Sequence, residues 1–288
     1  MKLLIFGYGY TARYMVSALQ PLAADHVRAT TRSPEKADAL AGTGITPRIF
    51  PGSDMGPDLE WASHVLITAG PENGHDPVLA HLHDAFVANA GRLDWVGYLS
   101  TTGVYGDHQG GWVDETTPLT PSTERGRARV AAETEWTDLF DRQGLPLHIF
   151  RLPGIYGPGR GPFAKVRAGT ARRIIKEGQV FGRIHVEDIA QAVTASMRKP
   201  TPGGIYNVAD DDPAPPQDVI AYAAELLGLP VPAATPFDEA RMTPMARSFY
   251  AESKRVDNTR MKRDLGVTLR YPDYRSGLRA LLAAEGEK

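Results

Sequence analysis

The chain has 288 residues, of which 42% are hydrophobic and 23% charged, with a formal net charge of -2 and no cysteine. This length suits one large α/β domain or a large domain with a smaller lobe, and the near-neutral charge gives no electrostatic basis for nucleic acid or a membrane as the main partner. The lack of cysteine excludes disulfides, thiolate nucleophiles and cysteine-ligated zinc, and is compatible with a reducing cytoplasm.

Met1-Lys2 leads into Leu3–Phe6, an apolar run that stops at Gly7. It is shorter than a signal-peptide core, and no stretch approaches a membrane span, so a cytoplasmic address is expected. Gly7-Tyr8-Gly9-Tyr10-Thr11-Ala12 then sits between this strand and a helix predicted over Thr11–Leu19. In a dinucleotide-binding turn the first glycine makes the bend and the second admits the pyrophosphate. The third small residue, here Ala12, allows tight packing, and the helix N-terminus favours the anion.

The second strand, Val27–Thr31, leads into Thr31-Arg32-Ser33. An NAD-preferring turn has an acidic residue roughly 20 positions after the glycines, for the ribose hydroxyls. None stands here. Arg32 suits a 2′-phosphate and Thr31 and Ser33 supply hydroxyls, against the alternative of a solvated strand-end arginine; the balance favours NADP over NAD.

Further strands are predicted at Arg48–Phe50, Val65–Thr68, Trp95–Ser100 and Leu147–Leu152, and further helices near Glu35–Leu40, Val78–Ala90 and Glu124–Arg142. Ser33-Pro34 and Asp76-Pro77 are start signals, each with a capping side chain before a proline. Near-continuous apolar strands alternating with helices predict an α/β, doubly wound parallel sheet, Rossmann-like, with right-handed crossovers. After Pro153 the texture changes. Gly154–Gly161 is rich in glycine and proline, and a basic stretch (Arg172, Arg173, Lys176) follows; Ile184–Met197 precedes the acidic, proline-rich Asn207–Pro216, and Asp218–Leu227 has helical spacing. This half is expected to form a smaller C-terminal lobe.

Several segments resemble the extended branch of the short-chain dehydrogenase/reductase superfamily, the NAD-dependent epimerases and dehydratases. They are Leu99–Gly106, ending in Val104-Tyr105-Gly106; Arg151–Arg160, with Tyr156-Gly157-Pro158-Gly159; Arg183–Ala190, with His185-Val186-Glu187-Asp188; Gly204–Val208; and Leu265-Gly266 with Arg270-Tyr271-Pro272. The resemblance implies a cofactor domain from 1–153 with 184–209, and a substrate lobe from 154–183 with 210–288. Cofactor contacts are then implied for Gly7 to Ala12, Thr31, Arg32, Ser33, Ala69, Gly70, Arg129 and Pro153. A homodimer through the helices near 78–90 and 124–142 is a family expectation, although the apolar face Leu79, Leu82, Phe86 and Val87 is equally explained by packing on the sheet.

Family members use a serine or threonine, a tyrosine as acid/base, and a lysine four residues after it. Register from Val104-Tyr105-Gly106 places Thr101 in the hydroxyl role, flanked by Ser100 and Thr102. It puts Arg125 and Arg129 in the tyrosine and lysine places, with Glu133 matching a glutamate common in the family. The chain thus resembles atypical members that lack the Tyr-x-x-x-Lys motif. Positions 125, 129, 132, 136 and 139 share one helix face, which turns inward through Ala132, Trp136 and Leu139. A guanidinium stays charged and cannot replace the proton donor, though Arg129 can hold a ribose hydroxyl or an anion. Alternatively these arginines are solvated or pair with Asp114 and Glu115.

Among possible substitutes for the donor, Tyr105 is the candidate, although Tyr105 and Tyr156 match positions in family members that also have the usual tyrosine, so that packing or cofactor contact is their default role; His185 is expected to be a structural hydrogen-bonder. His75, His81 and His83 are expected at the surface, with no metal site. Basic residues of the second half (Arg160, Arg172, Arg173, Arg241, Arg247, Lys254, Arg255), with Phe249 and Tyr250, suit an anionic small molecule such as a nucleotide-linked or phosphorylated sugar. The leading expectation is an NAD(P)-binding epimerase/dehydratase-like or reductase-like protein. The alternative is a non-catalytic NADP-binding sensor or regulatory protein.

Overall fold

The computed structural model describes residues 1–19, 26–72 and 74–286. In chain order the elements are β1 (Leu3–Phe6), α1 (Tyr10–Ala18), β2 (Val27–Thr31), α2 (Pro34–Leu40), β3 (Thr46–Ile49), α3 (Gly56–Trp61), β4 (His64–Ile67), α4 (Leu79–Asn89), β5 (Trp95–Thr101), β6 (Trp112–Val113), α5 (Glu124–Gln143) and β7 (Leu147–Leu152). Then follow β8 (Gly154–Tyr156), α6 (Phe163–Arg167), β9 (Arg173–Ile175), β10 (Arg183–His185), α7 (Val186–Arg198), β11 (Gly204–Asn207), α8 (Pro216–Leu226), β12 (Ala234–Pro236), α9 (Pro244–Phe249), β13 (Arg255–Val256), α10 (Thr259–Leu265) and α11 (Tyr274–Gly286).

Seven strands form one sheet in the order β3-β2-β1-β4-β5-β7-β11, and every pairing is parallel. Alternation within β1 shows how the sheet is covered. Leu3 and Ile5 enter a core with Ala12 and Met15 of α1 and Ile189 and Val193 of α7. Leu4 and Phe6 enter the opposite core with Leu79 and Phe86 of α4 and Ala132, Trp136 and Leu139 of α5. β1, buried on both faces, is therefore apolar at every position, in keeping with the Rossmann-like expectation. The α4 face of Leu79, Leu82, Phe86 and Val87 packs on the sheet.

Helix starts follow local chemistry. Ser33 Oγ accepts from the Lys36 N–H at 3.2 Å ahead of α2. Asp76 Oδ1 accepts from the Val78 and Leu79 N–H groups at 2.9 and 3.1 Å ahead of α4. Thr123 Oγ1 caps α5 through the Gly126 N–H at 3.1 Å, and Gly144 ends that helix at φ 68°.

Outside the sheet, Tyr156, Phe163, Val166, Val219, Ala223, Tyr274 and Leu278 make a core of α6, α8 and α11. Three short parallel ladders lie outside the large sheet, β8 with β10, β9 with β12, and β6 with β13, and the last of these joins the two halves of the chain. The last sets Arg255 against Trp112 and Val256 against Val113, bringing the segment after α9 beside the β5–α5 connection. Among the described residues no helix is long and apolar enough to cross a membrane.

Candidate functional site

The sheet order reverses between β1 and β4, and the loops after both strands open there. Gly7 adopts φ 93°, and a Cβ on it would lie 2.9 Å from Thr68 Oγ1, so only glycine makes this bend. Thr30 holds the turn: its Oγ1 accepts from the Gly7 N–H at 2.9 Å and its carbonyl from the Tyr8 N–H at 2.8 Å. Gly9 caps α1 without a side-chain hydrogen bond, and a Cβ on it would meet nothing within 4 Å. The first N–H groups of α1 therefore face open space with the positive end of the helix dipole behind them. This arrangement fits a dinucleotide diphosphate: the bend demands glycine, and the space a side chain would fill is left clear.

That space belongs to a cleft of about 1200 Å³ along the sheet's carboxyl edge. Its lining includes Gly9, Tyr10, Thr11, Gly70, Thr101, Arg125, Arg129, Pro153, Arg160, Phe249 and Lys254. The structure thus gathers Thr101, both arginines and much of the glycine loop into one opening. Thr101 Oγ1 accepts from the Gly103 N–H at 3.1 Å, which leaves its own proton to donate. Arg129 reaches back to the sheet, where Nη1 donates to the Leu99 carbonyl and the Tyr98 hydroxyl, both at 2.9 Å. Its Nη2 would lie 3.0 Å from a Cβ on Gly70, so the guanidinium packs closely on that glycine. Arg125 turns the other way. Its Nη2 donates to Ser248 Oγ at 3.0 Å, and its guanidinium carbon lies 4.7 Å from the centroid of the Phe249 ring. Neither pairs with Asp114 or Glu115: Asp114 accepts from Thr116 and Thr117, and Glu115 from the Asn207 N–H at 2.7 Å.

Tyr105 does not reach the cleft. It is 0% exposed, its hydroxyl donates to Asn207 Oδ1 at 2.7 Å, and it accepts from Arg151 Nη1 at 3.0 Å. Burial raises its pKa, only partly offset by Arg151. Its hydroxyl lies outside the cleft lining, in a buried network, so the geometry gives Tyr105 the packing role rather than the proton donor's. Arg151 also forms a fork to Glu133, with Nη2 2.7 Å from Oε2, and Ser100 donates to the same carboxylate. Sequence reasoning used Arg151 and Glu133 as motif markers and missed their pairing. The available signal was an arginine inside the apolar strand Leu147–Leu152, a charge that burial forces to find a partner.

The remaining candidates divide. Tyr8 and Ala69 are partly buried against the two cores, and Ala12 is buried beneath the loop. Arg32 pairs with Glu72, and both are exposed, at 73% and 53% of their side-chain surface. Thr31 Oγ1 accepts from the Ser33 N–H, and Ser33 Oγ donates to Glu35 while capping α2. Tyr156 and His185 pack edge to face, 5.2 Å apart, and burial lowers the His185 pKa to about 4. His75, His81 and His83 are exposed. Of the basic residues in the second half, Arg160 and Lys254 line the cleft. Arg172, Arg247 and Arg255 instead donate to backbone carbonyls of Arg241, Ala240 and Gly110. Phe249 faces the cleft, whereas Tyr250 is buried with Ile174 and Ala240. Lys254 pairs with Glu252 at 2.8 Å within the lining.

Residues 80–209 match the NAD dependent epimerase/dehydratase family. The protein YeeZ of Escherichia coli K12 is 34% identical over 189 residues, 65% of this chain and 62% of that protein. A 3-diazoavenalumate denitrifying reductase of Streptomyces is 29% identical over 181 residues, 58% of each chain. The chain spans less than two thirds of the length of these curated relatives. A functionally unknown conserved protein from Silicibacter pomeroyi shares 57% identity and superposes with a TM-score of 0.91 over 99% of both chains. The UDP-glucuronic acid 4-epimerase of Bacillus cereus, in complex with NAD, has the same fold at 19% identity and a TM-score of 0.78, over 98% of this chain and 96% of that one.

Proposed function

We propose that the chain, whose residues 80–209 match the NAD dependent epimerase/dehydratase family, is a member of that family, binds a nicotinamide dinucleotide across the switch point and acts on a small anionic molecule beside it. The observation that carries this reading is the single cleft in which Gly9, Thr101 and Arg129 meet Arg160, Phe249 and Lys254. The glycine loop and α1 hold the diphosphate, and Arg129 takes the lysine's place at the nicotinamide ribose. Residues 1–153 with 184–209 act as the cofactor domain, and 154–183 with 210–288 as the lobe over the substrate. When bound, the cofactor supplies a hydride donor or acceptor. Thr101 orients the substrate oxygen and Arg125 and Arg129 supply fixed positive charge. The chain is in this sense an atypical member of its superfamily.

NADP is favoured over NAD. No carboxylate follows β2, and a 2′-phosphate would exchange Glu72 for itself as the partner of Arg32. Calorimetric titration with NADPH and NADH tests this: NADPH should bind at least about tenfold tighter, the worth of roughly one charge-assisted bond. Equal affinity sinks the preference, and no binding of either sinks the cofactor reading. The substrate is proposed to be a phosphorylated or nucleotide-linked sugar-like compound or another small anion.

A second reading, a non-catalytic dinucleotide sensor, is favoured by one observation. The tyrosine that lines the cleft is Tyr10, on the glycine loop, and its hydroxyl donates to the Pro158 carbonyl at 3.1 Å. Transfer of label from C4-deuterated NADPH to sugar nucleotides and small carbonyl compounds separates the two. Deuterated product supports the enzyme; tight cofactor binding without transfer to any of them supports the sensor.

A further inference from the structure

The three arginines that open α5 are not neutralised within the fold. Arg127 donates to the Ser122 carbonyl, Arg129 to a carbonyl and a hydroxyl, and Arg125 to Ser248. Among the described residues none of the three forms an ion pair with a carboxylate. Glu252, the carboxylate on the facing wall, is already committed: it accepts from Ser122 Oγ at 2.6 Å and from Lys254 Nζ at 2.8 Å. Positive charge is thus left over at the cleft's outer half.

The surroundings of Arg125 are more specific than charge alone. Ser248 engages a single nitrogen of its guanidinium, which leaves N–H groups without a protein acceptor. The guanidinium covers one side of the Phe249 ring, which stays 54% exposed, with Met245 65% exposed one turn earlier on α9. A planar fork of donors beside an open aromatic face is matched by a planar anion joined to a flat ring. Arg125 also stands one helical turn before Arg129 in the cleft lining, at the position that the sequence register assigns to the proton donor.

We propose that Arg125 and Phe249 form a site for the reacting end of the substrate, and that this end is a carboxylate or phosphate carried by an aromatic or conjugated ring. The site itself stands on geometry. Its description as the reacting end rests on the cofactor reading above. Arg125 is then a specificity-determining residue, selecting a negative group, and Ser248 holds one nitrogen of the fork until that anion arrives.

The test is calorimetric titration of the full chain with benzoate, phenyl phosphate and benzamide, with and without NADPH. Benzoate or phenyl phosphate should bind saturably, and benzamide at least about tenfold more weakly. Whichever anion binds tighter identifies carboxylate or phosphate as the native group. Arg125→Gln should weaken anion binding by about tenfold or more, and Ser248→Ala should leave it equal or tighter. Phe249→Leu should remove the preference for benzoate over acetate. Benzamide binding as tightly as benzoate, Arg125→Gln binding like the parent, or no saturable anion binding up to about 10 mM would each overturn the proposal. NADPH binding without an anion site overturns it alone. An anion site that needs Arg125, in a chain that binds no NADPH, overturns the cofactor reading and leaves this site standing.

Discussion

The first half of α5, from Arg125 to Glu133, solves the same problem, charge close to the sheet edge, in opposite ways at its two ends. At the inner end Glu133 is sealed from water with Arg151, Ser100 and, through Arg151, Tyr105 and Asn207, so the polar groups satisfy one another. At the outer end Arg125 and Arg127 are exposed and lean on a hydroxyl and a carbonyl. A buried charge that loses its partner costs several kcal/mol, so the inner end can change only as a set. The outer end is hydrated, and a residue there can change its chemistry with little effect on folding. The residue at position 125 can therefore change its chemistry while the scaffold beneath it persists.

The largest expected effect comes from breaking the inner end. Glu133→Ala strands Arg151 and should cost about 3–5 kcal/mol in urea unfolding. A loss below about 1 kcal/mol would mean that the network is not the rigid member of the pair.

Acid should act on other buried groups, one of them on the opposite face of the sheet. His148, on the strand that carries Arg151, and His185 are held neutral by burial, with pKa values lowered from 6.5 to about 4. His148 Nε2 also accepts from the Thr201 N–H at 2.8 Å, a bond that protonation would break. The unfolded chain therefore binds protons that the folded chain refuses. The stability these two groups contribute is full above pH 6.5 and is lost as pH falls toward 4, at up to about 1.4 kcal/mol per pH unit for each. Urea midpoints at several pH values should show this slope, and His148→Gln should remove part of it; an unchanged slope would rule out His148 as a contributor.

Glycine substitutions sharpen the contrast between packed and open positions. Gly7→Ala meets Thr68 at φ 93° and should cost about 1–3 kcal/mol. Gly9→Ala meets no protein atom within 4 Å and should change stability by less than about 0.5 kcal/mol while weakening NADPH binding. Equal melting losses, or unaltered NADPH affinity in Gly9→Ala, would contradict the open cradle. The smallest effect belongs to Arg127→Ala, within about 0.5 kcal/mol in thermal melts. A larger loss would show that the outer end bears structural load.

Much of the sheet was legible in the sequence because strands covered on both faces are largely apolar, as at Leu3–Phe6 and Leu147–Leu152, which end where predicted, as does the more polar Val27–Thr31. Edges were harder. β3 runs Thr46–Ile49 rather than Arg48–Phe50, with Pro47 in an outermost strand where its missing N–H costs no ladder bond on the open side. Helices α3, α6 and α9, of five or six residues, are too short to display a period, and ladders of two or three residues carry no alternation. In the site, the glycine loop and the arginine register were visible as local patterns. The seating of Arg125 on Ser248 and Phe249 was not, since nothing local to residue 125 announces a helix more than a hundred positions later.

The ladder between β6 and β13 also orders events in time. Its flanking bond from the Ser253 N–H to Asp107 joins residues 146 apart, so the loop it closes is among the longest in the chain. On the ribosome every strand of the large sheet has been made once Asn207 emerges, while the outer wall still awaits α9 and β13. A chain halted between these points would hold its sheet strands yet display the arginines of α5 to any passing polyanion. Such late, long-range closure predicts that the cleft is the slowest part of the molecule to mature.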